Sequence, residues 1–282
     1  MTTDAAKLKA VETYNAAADH FDDEPLGFWA RIGRRTIERL DLPAGAWILD
    51  VGCGTGASAL PAAEQVGPRG HVIGVDLADR LLEVARRKAA GRALANVRFE
   101  VADMEHLAYP DEHFDAVVSV FSIFFVPDMA RQARAMWRMV KPGGALAVTT
   151  WGPRLFEPGT SIWWAAVRDV RPDLVVSVSP WDRITEPQAV RELLREAGIA
   201  NVEIEAEDGR QALRSADEWW TIVLGSGFRW TVEQLGETAA AQVRAANLAE
   251  FRRRRISSVE TNAIFATARK PMELGRIRGT QD

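Results

Sequence analysis

The chain has 282 residues, of which 47% are hydrophobic and 26% charged, the balance of an ordinary globular protein. Its formal net charge of −4 gives no broad basic surface for nucleic acid. The single cysteine, Cys53, excludes an internal disulfide and a metal site built from several thiolates, so we expect no bound metal. The sequence lacks a membrane-length apolar stretch and a signal peptide, which favours a cytoplasmic protein.

The first 150 residues predict a helical segment followed by alternating strands and helices. Helical periodicity over 5–42 ends at the Leu-Pro-Ala-Gly break at 42–45, and we predict a helical lid over 1–42. Nearly continuous apolar runs, typical of strands buried on both faces, alternate with amphipathic stretches and indicate a parallel sheet covered by helices. The runs lie at 47–51, 72–76, 97–102, 115–120 and 145–150, and a turn is predicted at 141–144.

Beyond residue 150 the pattern is less regular. Thr185 is expected to cap a helix that runs to residue 197, and strands are predicted at 202–206 and 256–268. Ser215 and Thr231 each begin a capping-box pattern. The 209–255 stretch is too long for a simple connection and predicts a helical cap. The predicted organisation is therefore a lid (1–42), a core (43–208 and 256–270), the cap (209–255) and a flexible tail (271–282).

Seven of the ten tryptophans lie between residues 151 and 230. Such a concentration is typical of a core, and it also suits the wall of a pocket for a flat or greasy ligand. The sequence leaves both interpretations open.

The strongest local signal is the stretch LDVGCGTG at 49–56, between the first strand and the next helix. Gly52, Gly54 and Gly56 let the backbone turn sharply and approach a ligand without an intervening Cβ. The helix N-terminus that follows offers free N–H groups to an anionic group of the ligand. The spacing also satisfies the dinucleotide-binding fingerprint, so the loop alone does not identify the ligand.

Three aspartates follow the ends of successive predicted strands, where ligands of open parallel sheets bind. Asp50 precedes the first glycine and suits a ligand ammonium better than a pyrophosphate. Asp76 ends the second strand, where a carboxylate accepts both hydroxyls of a ribose. Asp103 follows the third strand beside Met104, a position suited to the amino group and the face of an adenine.

The chain resembles the class I S-adenosylmethionine-dependent methyltransferases, and among them the ubiquinone/menaquinone-biosynthesis-like (methyltransferase type 11) group that acts on small molecules. The matching stretches are ILDVGCGTG (48–56), VIGVDLADRLLEVAR (72–86), VADMEHLAYPDEHFDAVVSV (101–120) and FFVPDMARQARAMWRMVKPGG (124–144). They cover residues 45–150 well and the last two strands in outline. The resemblance implies an α/β, Rossmann-like three-layer sandwich with a seven-stranded, mostly parallel sheet and an antiparallel last strand.

The resemblance also implies a cofactor, S-adenosylmethionine, and a set of residues that hold it. Asp50 and the loop from Gly52 through Cys53 and Gly54 to Gly56 would hold the methionine moiety. Ribose and adenine would lie against the ends of the second and third strands, and an N-terminal tyrosine would close over the cofactor. The residues implied in these roles are Tyr14, Asp76, Leu77, Asp103, Met104 and, near the methionine part, Ser119.

For the methyl acceptor we expect a small, partly apolar or aromatic metabolite that receives the methyl group by direct in-line transfer. Phe121, Phe124, Phe125 and Trp29 are predicted to line its pocket. The histidine that relatives often carry before Val-Pro-Asp is replaced here by Phe124 or Phe125, so a base at that place is absent. His20, in the predicted lid, is the remaining candidate for a general base.

Two other functions fit the same sheet. An NAD-dependent oxidoreductase shares the glycine loop, but Asp50 disfavours a pyrophosphate and no hydride-transfer constellation is recognisable. A non-catalytic S-adenosylmethionine-binding module that acts through a partner is the other alternative, with 209–255 as its interaction surface. For a methyltransferase we expect a small-molecule acceptor as the partner and no nucleic acid. We also expect a monomer or homodimer without a membrane span.

Overall fold

In the computed structural model, which describes residues 3–176 and 178–272, helices and strands alternate through most of the chain. Helices α1–α9 span Thr3–Ala17, Phe28–Glu38, Ala59–Val66, Asp79–Gly91, Met129–Met139, Gly159–Val170, Pro187–Glu196, Ala216–Leu224 and Arg229–Arg253. Strands β1–β9 span Trp47–Val51, His71–Asp76, Val97–Val101, Phe114–Val120, Val140–Trp151, Glu203–Glu207, Arg210–Ala212, Ser258–Glu260 and Ala263–Arg269. Short 3-10 helices join several of them, including Glu24–Leu26 and Ile123–Phe125.

Seven of these strands form one sheet in the order β3-β2-β1-β4-β5-β9-β6. The strands from β3 to β5 are parallel, whereas β9 runs antiparallel to both β5 and β6. The predicted α/β sandwich with an antiparallel last strand is confirmed. The strand order reverses between β1 and β4, and ligands of such sheets bind outside the carboxyl ends of the strands at this point.

The central strands are stabilised by apolar side chains buried on both faces of the sheet. In β1, Ile48 packs in the core of one face and Leu49 in the core of the other, and Val118 and Val117 of β4 divide in the same way. All four side chains are fully buried, which contributes roughly 1.5–3 kcal/mol each relative to an exposed position. The carboxyl ends of these strands are therefore a fixed platform for a site.

Above this platform, α1 packs against α4 and α9, and α8 and α9 pack together over α6. Trp163 of α6 and Trp219 of α8 are fully buried between these helices. The indole N–H of Trp219 donates to Asn247 Oδ1 at 2.9 Å, and its ring stacks on Phe251 at 5.2 Å between centroids. Part of the tryptophan-rich region is therefore core. The division of the chain into lid, core and cap stays a prediction.

Two predicted boundaries are wrong because tertiary hydrogen bonds override the local pattern. The turn expected at 141–144 belongs to β5, whose pairing with β4 shifts register between Phe114 and Ala116. The single strand expected over 256–268 divides into β8 and β9 at Asn262. The amide nitrogen of Asn262 donates to Pro153 O at 3.0 Å, and its Oδ1 accepts from Gly209 N–H at 2.9 Å.

The capping-box predictions in the cap are also wrong in detail. Thr231 lies buried inside α9, which begins two residues earlier at Arg229. Ser215 occupies the N-cap position of α8, but its side chain makes no capping hydrogen bond. Glu218 instead accepts from the backbone N–H of Arg214 at 2.7 Å. The start of the helix is therefore bonded to the residue before Ser215.

Smaller differences concern helix starts and the chain end. The helix after the glycine loop begins at Ala59, and the N-cap of α7 is Glu186 rather than the predicted Thr185. Most of the predicted tail, from residue 273 onward, lies outside the described residues.

Within 3–176 and 178–272, every helix is too short or too polar to cross a membrane.

Candidate active site

A cavity of about 120 Å³, here called the inner cavity, opens at the carboxyl ends of β1–β4 beneath α1. It lies where the strand order reverses, the position that the topology favours for a ligand. Candidate site residues from the ends of separate strands therefore line the same cavity. Those that line it are Tyr14, Trp29, Gly52, Cys53, Gly54, Asp76, Leu77, Asp103, Met104, Phe121 and Phe125.

The loop after β1 turns back on itself, and its glycines allow the turn. The backbone N–H groups of Gly52 and Cys53 both donate to Val75 O, at 2.8 and 3.0 Å. Gly52 has a φ of +71°, and a Cβ there would lie 2.3 Å from the Cβ of Ser122. At Gly54 the nearest atom to such a Cβ would be 3.8 Å away, so the loop is open on the cavity side.

Asp76 is fixed at the end of β2 by the same loop. Its Oδ2 accepts from Gly54 N–H and its Oδ1 from Ala78 N–H, each at 2.9 Å. Burial raises the pKa of Asp76, although these backbone donors oppose the shift. Each carboxylate oxygen has a second lone pair, so Asp76 can still accept from hydroxyl groups of a ligand in the cavity.

Asp50 does not line the inner cavity, which corrects the prediction that it meets the ligand directly. The residue is 1% exposed beneath the loop, where Ser58 Oγ donates to its Oδ2 at 2.6 Å. Its Oδ1 has no hydrogen-bond partner among the described residues. Burial, aided by the charge of Asp76, raises the pKa of Asp50 to about 7. Gly56, also predicted to touch the ligand, lies outside the lining of the inner cavity.

We expect Asp50→Asn to be more stable than the wild type at pH 8 and to lose that advantage at pH 4. The folded-state pKa is raised from 3.8 to about 7, so the folded protein keeps a proton that the unfolded chain has released. Asp50 therefore lowers the free energy of unfolding as the pH rises from 4 to 7. Asparagine does not titrate and so avoids this decrease in the free energy of unfolding, which reaches about 4 kcal/mol. Urea unfolding at pH 4, 6 and 8 measures it, and a pH-independent difference would contradict the prediction.

Asp103, at the end of β3, is bound by a lysine that the sequence analysis missed. Lys7 Nζ of α1 lies 2.6 Å from Asp103 Oδ2 and 2.6 Å from Glu105 Oε2. Partial burial is the largest single effect and would raise the pKa of Asp103, but the hydrogen bonds from Lys7, the Glu105 backbone N–H and His106 together outweigh it, and the pKa is lowered. Asp103 is therefore anionic, and α1 is attached to the strand end that carries it. A lone lysine in an N-terminal helix gives no sequence signal for this contact.

Ser119, predicted near the methionine part of the ligand, is fully buried behind the lining. Its Oγ lies 2.6 Å from Ser122 Oγ, which in turn donates to Val51 O at 2.6 Å. Ser122 is the residue that faces the cavity. The chain leaves the sheet after β4, and the serine that lines the cavity therefore comes three positions later than the strand pattern predicts.

Aromatic rings form one end of the inner cavity. Trp29 stacks on Phe21 with 5.0 Å between centroids, and Phe121 stacks on Trp151 at 3.8 Å. Phe121 follows β4 with a φ of +54°, a strained conformation for a phenylalanine. The backbone turn directs this ring under Trp29 rather than into a separate acceptor pocket. Trp29 and Phe121, which the sequence predicts in the acceptor's pocket, line the inner cavity and not the aromatic cavity beside it.

A second, larger cavity of about 480 Å³, here called the outer cavity, lies beside the inner one. Phe124 lines only the outer cavity, while Tyr14 and Phe125 line both and meet edge to face at 5.5 Å between centroids. Burial near Asp76 raises the pKa of Tyr14, which keeps the phenol protonated. The ring pair of Tyr14 and Phe125 thus lies on the boundary that the two cavities share. Aromatic rings of the outer cavity also come from Trp164, Trp181, Phe228 and Trp230.

His20 lies outside both linings, contrary to its predicted role as a base. Its Nδ1 is 2.9 Å from Asp23 Oδ2, and the side chain is 37% exposed. The segment after α1 turns the histidine toward solvent, while the neighbouring Phe21 turns inward to the cavity. His20 is therefore not placed to take a proton from an acceptor in either cavity.

Comparison with known proteins identifies the family. Residues 48–144 match the family described as "Methyltransferase domain". Over 94% of its length, the chain is 30% identical to nocamycin O-methyltransferase of Saccharothrix syringae and covers 97% of that protein. It is 32% identical to aklanonic acid methyltransferase DauC of Streptomyces sp. (strain C5), over 57% of this chain and 71% of the relative.

Among solved structures, the [4+2]-cyclase SpnF is similar with a TM-score of 0.54 and 26% identity, over 86% of this chain and 81% of that one. The chain belongs to the class I S-adenosylmethionine-dependent methyltransferases of the small-molecule type. It is an enzyme whose cofactor is S-adenosylmethionine, and its substrates are small molecules. The comparisons give no support to an NAD-dependent oxidoreductase or to a non-catalytic binding module.

Proposed function

We propose that the inner cavity binds S-adenosylmethionine and that the outer cavity binds a partly apolar or aromatic methyl acceptor. The observation that carries the proposal is the pair of adjoining cavities: one has strand-end carboxylates around a glycine loop, the other is lined by aromatic rings. A polar nucleoside and a flat apolar acceptor require these two environments. Tyr14 and Phe125, which line both cavities, mark the place where methyl donor and acceptor meet.

The residues of the inner cavity fit the parts of this cofactor. Asp76 has lone pairs free for the two ribose hydroxyls, with Leu77 beside it for the adenine ring. Asp103 is anionic and accepts from the adenine amino group, with Met104 against the ring face. The open side of the Gly52–Cys53–Gly54 loop leaves room for the methionine moiety. When ionised, above its raised pKa of about 7, Asp50 adds negative charge beneath this loop, without contact, near the site of the cofactor's ammonium group.

The predicted lid and cap both contribute to the wall of the outer cavity. Residues 6, 9, 10, 13 and 14 come from α1, and residues 227, 228, 230 and 231 from the predicted cap. This sharing supports the division into a lid over 1–42, a core over 43–208 and 256–270, and a cap over 209–255. Closure of both segments over the acceptor would exclude water from the sulfonium.

The cofactor supplies an electrophilic methyl group, and the protein's task is to hold the acceptor atom in line with the methyl–sulfur bond. Orientation of two bound reactants is worth effective molarities of about 10⁵–10⁸ M. The aromatic surroundings favour transfer to a neutral acceptor atom, because positive charge disperses as the methyl group moves. His20 lies outside the cavities and Tyr14 holds its proton, so positioning is the main contribution of the chain.

We further propose that the acceptor is not a nucleic acid and that the enzyme acts in the cytoplasm as a monomer or homodimer. The net charge of −4 offers no general attraction for phosphates. The outer cavity is bordered by rings, which suits a small molecule rather than a strand of nucleotides.

Titration calorimetry with the purified chain tests the cofactor site. We expect S-adenosylmethionine and S-adenosylhomocysteine to bind and NAD not to bind. A second experiment incubates the protein with labelled S-adenosylmethionine and extracts of small metabolites, and identifies labelled products by mass. Binding of NAD without either sulfur nucleoside would overturn the cofactor site. Cofactor binding without transfer to any apolar or aromatic acceptor would overturn the role of the outer cavity.

A further inference from the structure

Lys9 of α1 is an unusual lysine in this molecule. It lines the outer cavity half-buried, with Nζ 3.5 Å from the ring centroid of Trp230. Burial lowers the pKa of Lys9, and no carboxylate among the described residues lies within ion-pair distance of it. Each of the four other lysines of the chain is paired with an acid, at residues 7, 88, 141 and 270.

The rest of the outer cavity offers Lys9 no compensation. Among its described lining residues there is no aspartate or glutamate, and a second cation, Arg183, lines the same space. The guanidinium of Arg183 reaches only a carbonyl oxygen, Pro127 O at 3.5 Å, and forms no ion pair with a described acid. The cavity is therefore apolar and aromatic with net positive charge, a combination that recognises a hydrophobic anion.

We propose that the methyl acceptor is an aromatic molecule bearing a carboxylate, and that Lys9 binds this carboxylate as a specificity-determining residue. The proposal rests on the proposed function of the outer cavity. The ring system lies among Phe124, Trp181 and the other aromatic side chains, while the anion replaces solvent at Lys9 Nζ. Lys9 does not line the inner cavity, so the carboxylate it holds is an anchor remote from the transferred methyl group.

The test measures binding of matched neutral and anionic aromatic compounds by quenching of tryptophan fluorescence. The probes are 2-naphthoate and 2-naphthamide, and anthraquinone-2-carboxylate and its carboxamide, each with saturating S-adenosylhomocysteine. We expect the wild type to bind each carboxylate about tenfold more tightly than its amide, the effect of one charge-assisted hydrogen bond. Lys9→Met is expected to remove this preference, leaving amide affinity within about twofold, and Lys9→Arg to retain most of it.

Lys141→Met is the matched control, because Lys141 pairs with Asp115 at the opposite end of the sheet. It is expected to keep the wild-type preference. Calorimetry of S-adenosylhomocysteine on every variant separates the two proposals, since loss of cofactor binding would count against the inner cavity and not against Lys9. Equal binding of carboxylates and amides by the wild type, no binding of any probe, or an unchanged preference in Lys9→Met would overturn the proposal.

Discussion

Gly52→Ala is expected to lose cofactor binding by at least 100-fold and to destabilise the fold by several kcal/mol. The new Cβ would lie 2.3 Å from Ser122 Cβ and 2.7 Å from its Oγ, and the backbone at Gly52 has a φ of +71°. Ser122 cannot move freely, because its hydroxyl donates to Val51 O and contacts Ser119. The loop must therefore shift, which costs the hydrogen bond from Gly52 N–H to Val75 O as well.

Gly67→Ala is the matched control for this prediction. Gly67 has nearly the same φ, +68°, but a Cβ there would meet no atom within 4 Å. It therefore carries the backbone strain of about 1–3 kcal/mol without the collision, and it lies far from the lining of the inner cavity. Urea unfolding and calorimetry with S-adenosylhomocysteine measure both effects. If the two variants unfold with equal free energies and bind equally, the crowding behind Gly52 is not what fixes the loop.

The sheet and the glycine loop are accessible from the sequence because both depend on local pattern. Parallel strands buried on two faces produce continuous apolar runs, and a glycine pattern after such a run marks a sharp turn at a strand end. Asp76 and Asp103 both line the inner cavity, because Asp76 ends β2 and Asp103 comes two residues after β3. A residue's position at the end of a strand follows from the local sequence pattern and does not depend on contacts with distant segments.

Direction of a side chain was harder to predict than its position. Asp50 and Ser119 lie on strands at the right level, but both point behind the lining, as their burial of 99% or more shows. Side chains alternate between the faces of a strand, so an error of one position reverses the direction. Phe124 and Phe125 illustrate the same limit, since the short helix after β4 sends one ring to the outer cavity and leaves the other between the cavities.

Contacts between distant segments gave no sequence signal at all. Lys7 reaches Asp103 across 96 residues, and Lys9, two positions along the same helix, faces Trp230 instead. Both lysines sit in a helix whose sequence shows little separation of apolar and polar faces. Only the packing of α1 over the strand ends distinguishes an ion-paired lysine from one that faces a cavity.

Asp76→Asn is expected to weaken binding of S-adenosylhomocysteine about 100-fold, the other large effect of a single substitution at this site. The carboxylate would accept from two ribose hydroxyls, and hydrogen bonds to a charged acceptor contribute about 1.5–3 kcal/mol each. An asparagine side chain has one acceptor oxygen instead of two, and that oxygen is needed by Gly54 N–H or Ala78 N–H. Asp79→Asn, the same change at an exposed neighbouring position, is expected to leave affinity unchanged.

A ligand that lacks the ribose hydroxyls separates recognition of the ribose from support of the loop. The 2′,3′-dideoxy analogue of S-adenosylhomocysteine is expected to bind the wild type about 100-fold more weakly than the parent compound. In Asp76→Asn, the analogue and the parent compound are expected to bind with equal affinity. Asp76 then accounts for the whole preference, since the effects of removing both partners of one contact do not add. If Asp76→Asn still prefers the parent compound by the wild-type factor, the aspartate holds Gly54 and Ala78 in place and another group receives the ribose.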